Sequence, residues 1–333
     1  MMITRSLGNL PRVALLIVAS LTALSCATTA PPKAETPLVP IRVAGARWIE
    51  LSPVLVGANS FYPQRIEVAS GGVVSITRNE ADLATNAETQ LLRESVANPD
   101  LRIIMTVSES FYRLVGRRSA GISKLSDLKG KRVIVPRNTS AQYYMVAMLR
   151  SAGLKEEDVT VVNLPAAPAG APPSKFRMAE ALARGEADFM ATFEPEPEQA
   201  VRLLGKDAIV LQDRKVYREA FNLHARAPDL ADPEKRRAIV TFVRAAADAT
   251  KALKKDPRPY LAHISSVLGF TEEQIGWGWP ETQFPVHIIP DMLDVLETEE
   301  IWVASLTNRA PRSRAQLEKL IDRSVVKEAL ALR

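Results

Sequence analysis

Ser126-Asp127-Leu128-Lys129-Gly130-Lys131-Arg132-Val133-Ile134-Val135-Pro136-Arg137-Asn138-Thr139-Ser140 is the stretch on which the fold assignment turns. Residues 131–135 form a short β-type run, and a helical pattern follows from Ala141 to about Ala152. Between them Thr139 and Gln142 have the spacing of a capping box, in which each side chain satisfies a backbone N–H that the first helical turn leaves free. A strand that feeds a capped helix within a few residues is the repeating unit of a parallel sheet covered by helices.

Three more junctions of this kind lie on either side. Residues 41–45 read as a strand, and Ser52-Pro53 downstream reads as a helix start, with serine at the N-cap and proline in the first turn. Residues 81–84 lead through Thr85-Asn86-Ala87-Glu88 into a helix over 89–96, with Thr85 and Glu88 at capping-box spacing. Residues 187–192 turn at Phe193-Glu194-Pro195 into a helix that runs to Leu204. In open α/β sheets ligands bind beyond the carboxyl ends of strands, where helix N-termini offer free N–H groups and a favourable dipole. One such junction alone is common to every α/β protein.

The composition, 47% hydrophobic and 24% charged over 333 residues, is that of a globular chain of about two domains. A formal charge of +5, part of it from Arg5 and Arg12 at the extreme N-terminus, is no nucleic-acid footprint, which needs clustered basic patches. Cys26 is the only cysteine, and His224, His263 and His287 stand at no metal-ligand spacing. No metal or other cofactor is therefore expected.

Residues 126–133 resemble the "DLKGKRV" opening of the second lobe in periplasmic solute-binding proteins of ABC importers, the binders of nitrate, aliphatic sulfonates, taurine and thiamine precursors. The order that follows is similar as well. Asn138-Thr139-Ser140 opens a helix, and Ala152-Gly153-Leu154, Asp158-Val159 and Val161-Val162-Asn163-Leu164 come next. Residues 181–188 and Thr192-Phe193-Glu194-Pro195 resemble the family's "AL-x-x-G-x-x-DA" and "T-W-E-P" stretches. Ser70-Gly71-Gly72 stands for the first-lobe "SG". Asn86-Ala87-Glu88 departs from the usual small residues, and 165–173 form a longer Pro/Ala-rich loop.

The resemblance implies a two-lobed type 2 periplasmic-binding-protein fold, each lobe a mainly parallel sheet flanked by helices. Two crossings join the lobes, expected near 114–118 and 222–226. Lobe 1 then comprises 41–115 and 225–333, lobe 2 comprises 116–224, and the helices over 233–254 and 259–268 return to lobe 1. The segment 305–333 reads as a charged, amphipathic surface helix. The implied function is capture of a small organic ligand by hinge closure, in partnership with a permease and ATPase, by a monomer that performs no chemistry.

Eight residues are expected at the ligand. Thr139 and Ser140 head the second-lobe helix, and Asn86 and Glu88 make the corresponding first-lobe pair; capping alone is the competing role for each. Trp48 is placed to stack on a planar ligand. Tyr143 and Tyr144 point about 100° apart on their helix, so one of them, taken as Tyr143, faces the cleft. Phe193 and Glu194 match the family's aromatic-acidic pair. Carboxylates and rings outnumber cations in this set, which favours an amine or heteroaromatic ligand over a sulfonate.

At the N-terminus, Arg5 and Arg12 precede an apolar run over 13–24, shorter than the roughly 20 residues of a membrane span. It ends in Ala23-Leu24-Ser25-Cys26, which resembles a lipobox. Residues 1–25 then read as a lipoprotein signal, Cys26 as the lipidated residue, and 26–40 as a flexible tether to a bacterial membrane. An ordinary secretory signal cut near Ala30 is the alternative. Two rival functions share the fold: a two-lobed enzyme related to pyrimidine or menaquinone biosynthesis, and a ligand-sensing lipoprotein without a transporter.

Overall fold

Val43–Gly45 (β1) is wholly buried and anchors a six-stranded sheet. The computed structural model describes residues 37–164 and 174–332. In the same sheet β2 (Ala69–Ser70) and β3 (Leu83–Ala87) run parallel to β1, and β4 (Leu101–Ser110) completes the first pass. The chain then enters a second, five-stranded sheet of β5 (Arg113–Arg117), β6 (Arg132–Ile134), β7 (Thr160–Val161), β8 (Phe189–Thr192) and β9 (Ala208–Leu211). It returns to the first sheet with β10 (Glu219–Arg226) and β11 (Thr282–Gln283). The spatial orders are β11-β4-β10-β3-β1-β2 and β7-β6-β8-β5-β9.

Both sheets are mainly parallel in strand direction, as expected, each with a minority of opposed strands, β10 and β11 in the first and β5 in the second. Strands that feed crossover helices pair in parallel, as β1 does with β2 and β3, and β6 with β7 and β8. Two strands next to the crossings run the other way: β10 lies antiparallel to β3 and β4, and β5 to β8 and β9. The strands before each crossing, β4 and β9, keep the direction of the parallel set, and the strands that enter a sheet after a crossing, β10 and β5, run against it.

The crossings lie a few residues ahead of the expected positions. The chain changes sheets at Phe111 and Tyr112 and returns through residues 212–218, whereas 114–117 and 222–226 belong to β5 and β10. The side-chain amide of Gln212 ties the two crossings together, donating to the Tyr112 carbonyl at 3.1 Å and to Glu281 Oε2 at 2.9 Å. The sheet-to-sheet boundary is therefore fixed by this pairing, which no local pattern encodes.

The long helix Pro233–Lys255 is capped by Asp232, whose carboxylate accepts from the Lys235 N–H at 2.8 Å, and packs on the first lobe. The C-terminal region is less superficial than its charge suggests. It breaks into short helices, Arg314–Glu318 and Arg323–Ala331, that bury Leu317, Val325, Val326 and Ala329. Fully buried Glu300 holds Arg309 and Arg312, each at 3.0 Å through its second oxygen. A smaller apolar cluster of Val115, Ile134, Met178, Leu182 and Met190 fills the second lobe.

Cys26, the signal assigned to 1–25, the tether up to residue 36 and the loop 165–173 lie outside the described residues. Among the described residues no helix is long and apolar enough to cross a membrane, and no group of three or more acidic, histidine or cysteine side chains is arranged to hold a metal ion.

Candidate functional site

The carboxyl ends of β1, β3, β6 and β8 converge on one cavity of about 100 Å³ between the lobes. Beyond β1 the chain makes a tight turn, Ile49–Leu51, with Trp48 at its N-cap in extended conformation. That turn runs directly into the helix Ser52–Val56, so Ser52 is no N-cap; its hydroxyl donates to the Ile49 carbonyl at 2.6 Å. Trp48 thus faces the cleft and meets Phe193, which follows β8, with ring centroids 4.3 Å apart. Tyr112, at the first crossing, lies 5.8 Å from Phe193 and closes the aromatic wall together with Phe221 of β10.

The polar wall comes from both lobes. Thr139 caps the helix Ser140–Ser151, accepting from the Ala141 N–H at 3.2 Å. Gln142 accepts not from Thr139, as a capping box requires, but from the Asn138 N–H at 2.6 Å. The shift follows from Asn138, which adopts the left-handed conformation (φ 58°) and turns its N–H towards the helix. Ser140 Oγ lies 2.9 Å from the Tyr112 hydroxyl and donates to Glu219 Oε1 at 3.2 Å, bridging second-lobe helix and first-lobe strand. Asn86, one residue before the end of β3, has its amide 2.3 Å from where a Cβ on Gly72 would stand, so a larger residue there would displace it.

Two carboxyl groups complete the lining, Glu50 and Glu219, exposed by only 3% and 4%. One oxygen of each, Oε2, has no hydrogen-bond partner among the described residues. Among the described residues no Lys, Arg or His contributes to this wall. Burial pushes the Glu50 carboxyl up to about 7, and burial together with the charges of Glu50 and Glu88 holds Glu219 well above the usual carboxylate range.

Behind the cavity lie two further buried carboxyls, Glu88 and Glu299. The Tyr217 hydroxyl donates to Glu88 Oε1 at 2.7 Å and the Ala220 N–H to Oε2 at 2.9 Å. Burial and the neighbouring Glu88 carboxyl raise Glu299 well above the ordinary value, so it keeps its proton, and its Oε2 has no partner among the described residues. Isolated carboxylates cannot be buried in such numbers without cations, so protons must take the place of counter-ions.

Of the eight residues expected at the ligand, the structure places Trp48, Asn86, Thr139, Ser140 and Phe193 on the cavity wall. The other three lie off it. β3 runs through Ala87, two residues past the expected cap, so Thr85 is a buried strand residue and Glu88 opens the helix Glu88–Glu94 facing the core. Glu194 is turned away by Arg113, whose Nε donates to it at 2.6 Å while its other nitrogens reach Glu198 at 3.1 Å. Tyr143 packs on Tyr217 and Trp302 at centroid distances of 5.7 and 5.4 Å, lining a different groove.

Sequence reasoning passed over Glu50, Gln90, Tyr112, Glu219 and Phe221. Glu50 had a readable signal, a charged residue wedged between Ile49 and Leu51 beside Trp48. Glu219 had none: β10 reaches the cavity only because it threads between β3 and β4.

Residues 69–259 match the family model described as NMT1/THI5 like. The chain belongs to the NMT1/THI5-like family. No curated protein is a match by sequence. Among solved structures, the periplasmic aliphatic sulphonate binding protein SsuA from Escherichia coli is 17% identical with a TM-score of 0.64, over 86% of this chain and 98% of that one. A ligand-binding component of an ABC-type import system from Staphylococcus aureus, solved with zinc bound, is 12% identical with a TM-score of 0.67, over 87% and 98%. The desulfurization enzyme DszB is 16% identical with a TM-score of 0.59, over 87% and 99%. Members of this family and fold thus share the two-lobed α/β architecture of periplasmic binding proteins, on which binders and an enzyme are both built.

Proposed function

We propose that this protein is the extracytoplasmic solute-binding component of an ABC importer, held at a bacterial membrane by a lipid on Cys26, and that it captures a small planar amine or heteroaromatic cation between its lobes. The observation that carries the ligand class is the cavity wall. It combines stacked rings, Trp48, Phe193 and Tyr112, with two buried carboxyls that each have a free oxygen, and it offers no cation. A sulfonate would meet only negative or neutral groups here, and a buried anion without a partner is strongly disfavoured. A planar cation gains stacking, cation–π attraction and charge-assisted hydrogen bonds at once.

Capture follows from hinge closure. Walls of the cavity belong to both lobes, so a ligand that touches both stabilises the closed form over the open one by its differential contacts. Contacts across the cleft already define that form: Arg93 donates to the Asn138 carbonyl at 2.8 Å, and the Arg202 guanidinium stacks 4.2 Å above the Trp277 ring. The reading of binding without conversion over an enzyme is supported by the likeness to binding proteins such as SsuA and the import-system component.

The test is thermal unfolding of the purified protein with 4-aminopyridine, imidazole, benzylamine, methanesulfonate and taurine. A probe at 100 times its dissociation constant stabilises by about 2.7 kcal/mol, a rise of roughly 5 °C. Shifts confined to the cations support the reading. Shifts confined to the sulfonates, or turnover of the bound compound, overturn it.

A further inference from the structure

Four carboxyl groups from four separate elements meet around the cleft. Glu50 comes from the turn after β1, Glu88 from the helix Glu88–Glu94, Glu219 from the start of β10 and Glu299 from the helix Met292–Ser305. All are 4% exposed or less. The other titratable groups packed around them are Tyr112, Tyr143, Tyr217 and, acting on Glu50, the carboxyl of Glu194; all are buried, and none supplies positive charge. The nearby cations are already committed: Arg113 to Glu194 and Glu198, Arg218 to Glu109 and Asp291, and Arg214 to Glu281.

Of the inner pair, Glu88 accepts from Tyr217 and the Ala220 N–H, while Glu299 Oε2 is buried without a partner behind the cavity. The outer pair, Glu50 and Glu219, lines the cavity, and each has a buried Oε2 without a partner among the described residues. Like charges this deeply buried cannot coexist, so in the empty protein the outer pair carries a proton as well. A cation seated between them reverses that balance, because it stabilises both carboxylates.

Resting on the cation reading above, we propose that the cleft takes its ligand by exchange, the cation entering as a proton leaves the Glu50–Glu219 pair for solvent. The balance is a protonated carboxyl plus a free cation giving a carboxylate–cation pair plus a solvated proton; no covalent bond other than the O–H is broken. Affinity then rises with pH, by about tenfold per pH unit while the pair remains protonated in the empty protein. The exchange also discriminates, since a neutral isostere of the cation has no means to displace the proton.

Isothermal titration calorimetry with 4-aminopyridine, which is cationic at neutral pH, decides it when run on the intact protein at pH 7 in phosphate and in Tris. Exchange requires an apparent enthalpy that differs between the buffers by the amount corresponding to one released proton, and an affinity that climbs between pH 6 and 8. The Glu219→Gln variant should bind the cation more weakly and show a smaller buffer difference. Binding with equal enthalpies and no pH slope overturns the exchange while leaving the cation reading intact. Absence of binding by every cation probe from pH 6 to 9 overturns both. Independently of any ligand, glutamate side-chain carbon NMR of the empty protein should show protonated carboxyl signals at pH 7 that diminish in Glu219→Gln. Their absence would rule the exchange out even if that variant failed to fold.

Discussion

Replacing Glu50 with Gln should make the empty protein less sensitive to alkali, and the size of the effect follows from its surroundings. Glu50 is 3% exposed, and burial lifts its carboxyl from the ordinary 4.5 to about 7. Because the folded value lies above the unfolded one, the folded state holds this proton more tightly. Its contribution to stability is full below pH 4.5 and is lost as pH rises through 7. Each pH unit of that gap corresponds to about 1.4 kcal/mol, so the wild-type protein loses about 3 kcal/mol from this site between pH 4.5 and 7. The Gln side chain carries no proton to lose, and its amide occupies the same volume. At pH 8 the variant should therefore melt roughly 6 °C above the wild type, with most of the gap closed at pH 4.5. Calorimetric or circular-dichroism melts of both proteins, without ligand, measure this directly. Parallel pH profiles would refute the premise that an uncompensated carboxyl is buried there.

Two further expectations concern other parts of the fold. Glu300 is held at about 2 by the Arg309 and Arg312 guanidinium groups, which outweigh its burial; a lowered value stabilises above the unfolded 4.5 and is lost as pH falls towards 2. Glu300→Gln should cost about 3 kcal/mol in urea unfolding at pH 7 and almost nothing at pH 2. Phe193→Ala removes the ring that meets Trp48 at 4.3 Å across the cleft. It should weaken the best cationic probe by about tenfold or more in calorimetry, and an unchanged affinity would show that the aromatic wall does not contact the ligand.

The acidic cleft bears on how a fold shared by sulphonate-binding SsuA and the enzyme DszB is adapted to one chain. Strand ends and helix starts supply a common cradle of hydroxyls and amides, here Asn86, Thr139 and Ser140. Behind that cradle this cavity places buried carboxyls. Glu50 and Glu219 are neighbours in space but not in sequence, and Ser140 and Tyr112 connect one of them to the opposite lobe. The side chains that line the cavity therefore also link the two lobes.

Several features could be read from the chain alone because they depend on local forces. The alternation of short β-type runs with capped helices fixes the α/β class, since propensity, capping and periodicity act within a dozen residues. The strand ends that line the cleft follow from the same pattern, and with them Trp48, Asn86, Thr139, Ser140 and Phe193. The preference for rings and carboxylates over cations was also legible as composition near those ends.

Which carboxylates face the cavity was not. Glu88 and Glu194 stand at the right junctions, yet one is drawn into the core by Tyr217 and the other is taken by Arg113. Their place is filled by Glu50 and Glu219, the latter about 170 residues downstream on a strand whose direction and neighbours only the assembled sheet determines. The lobe boundaries shifted for a like reason, because Gln212 and the Tyr112 carbonyl meet only once both sheets exist. Local sequence sets where strands end and helices begin; the side chain that reaches the ligand depends on register and on competition among buried charges, and those are properties of the whole fold.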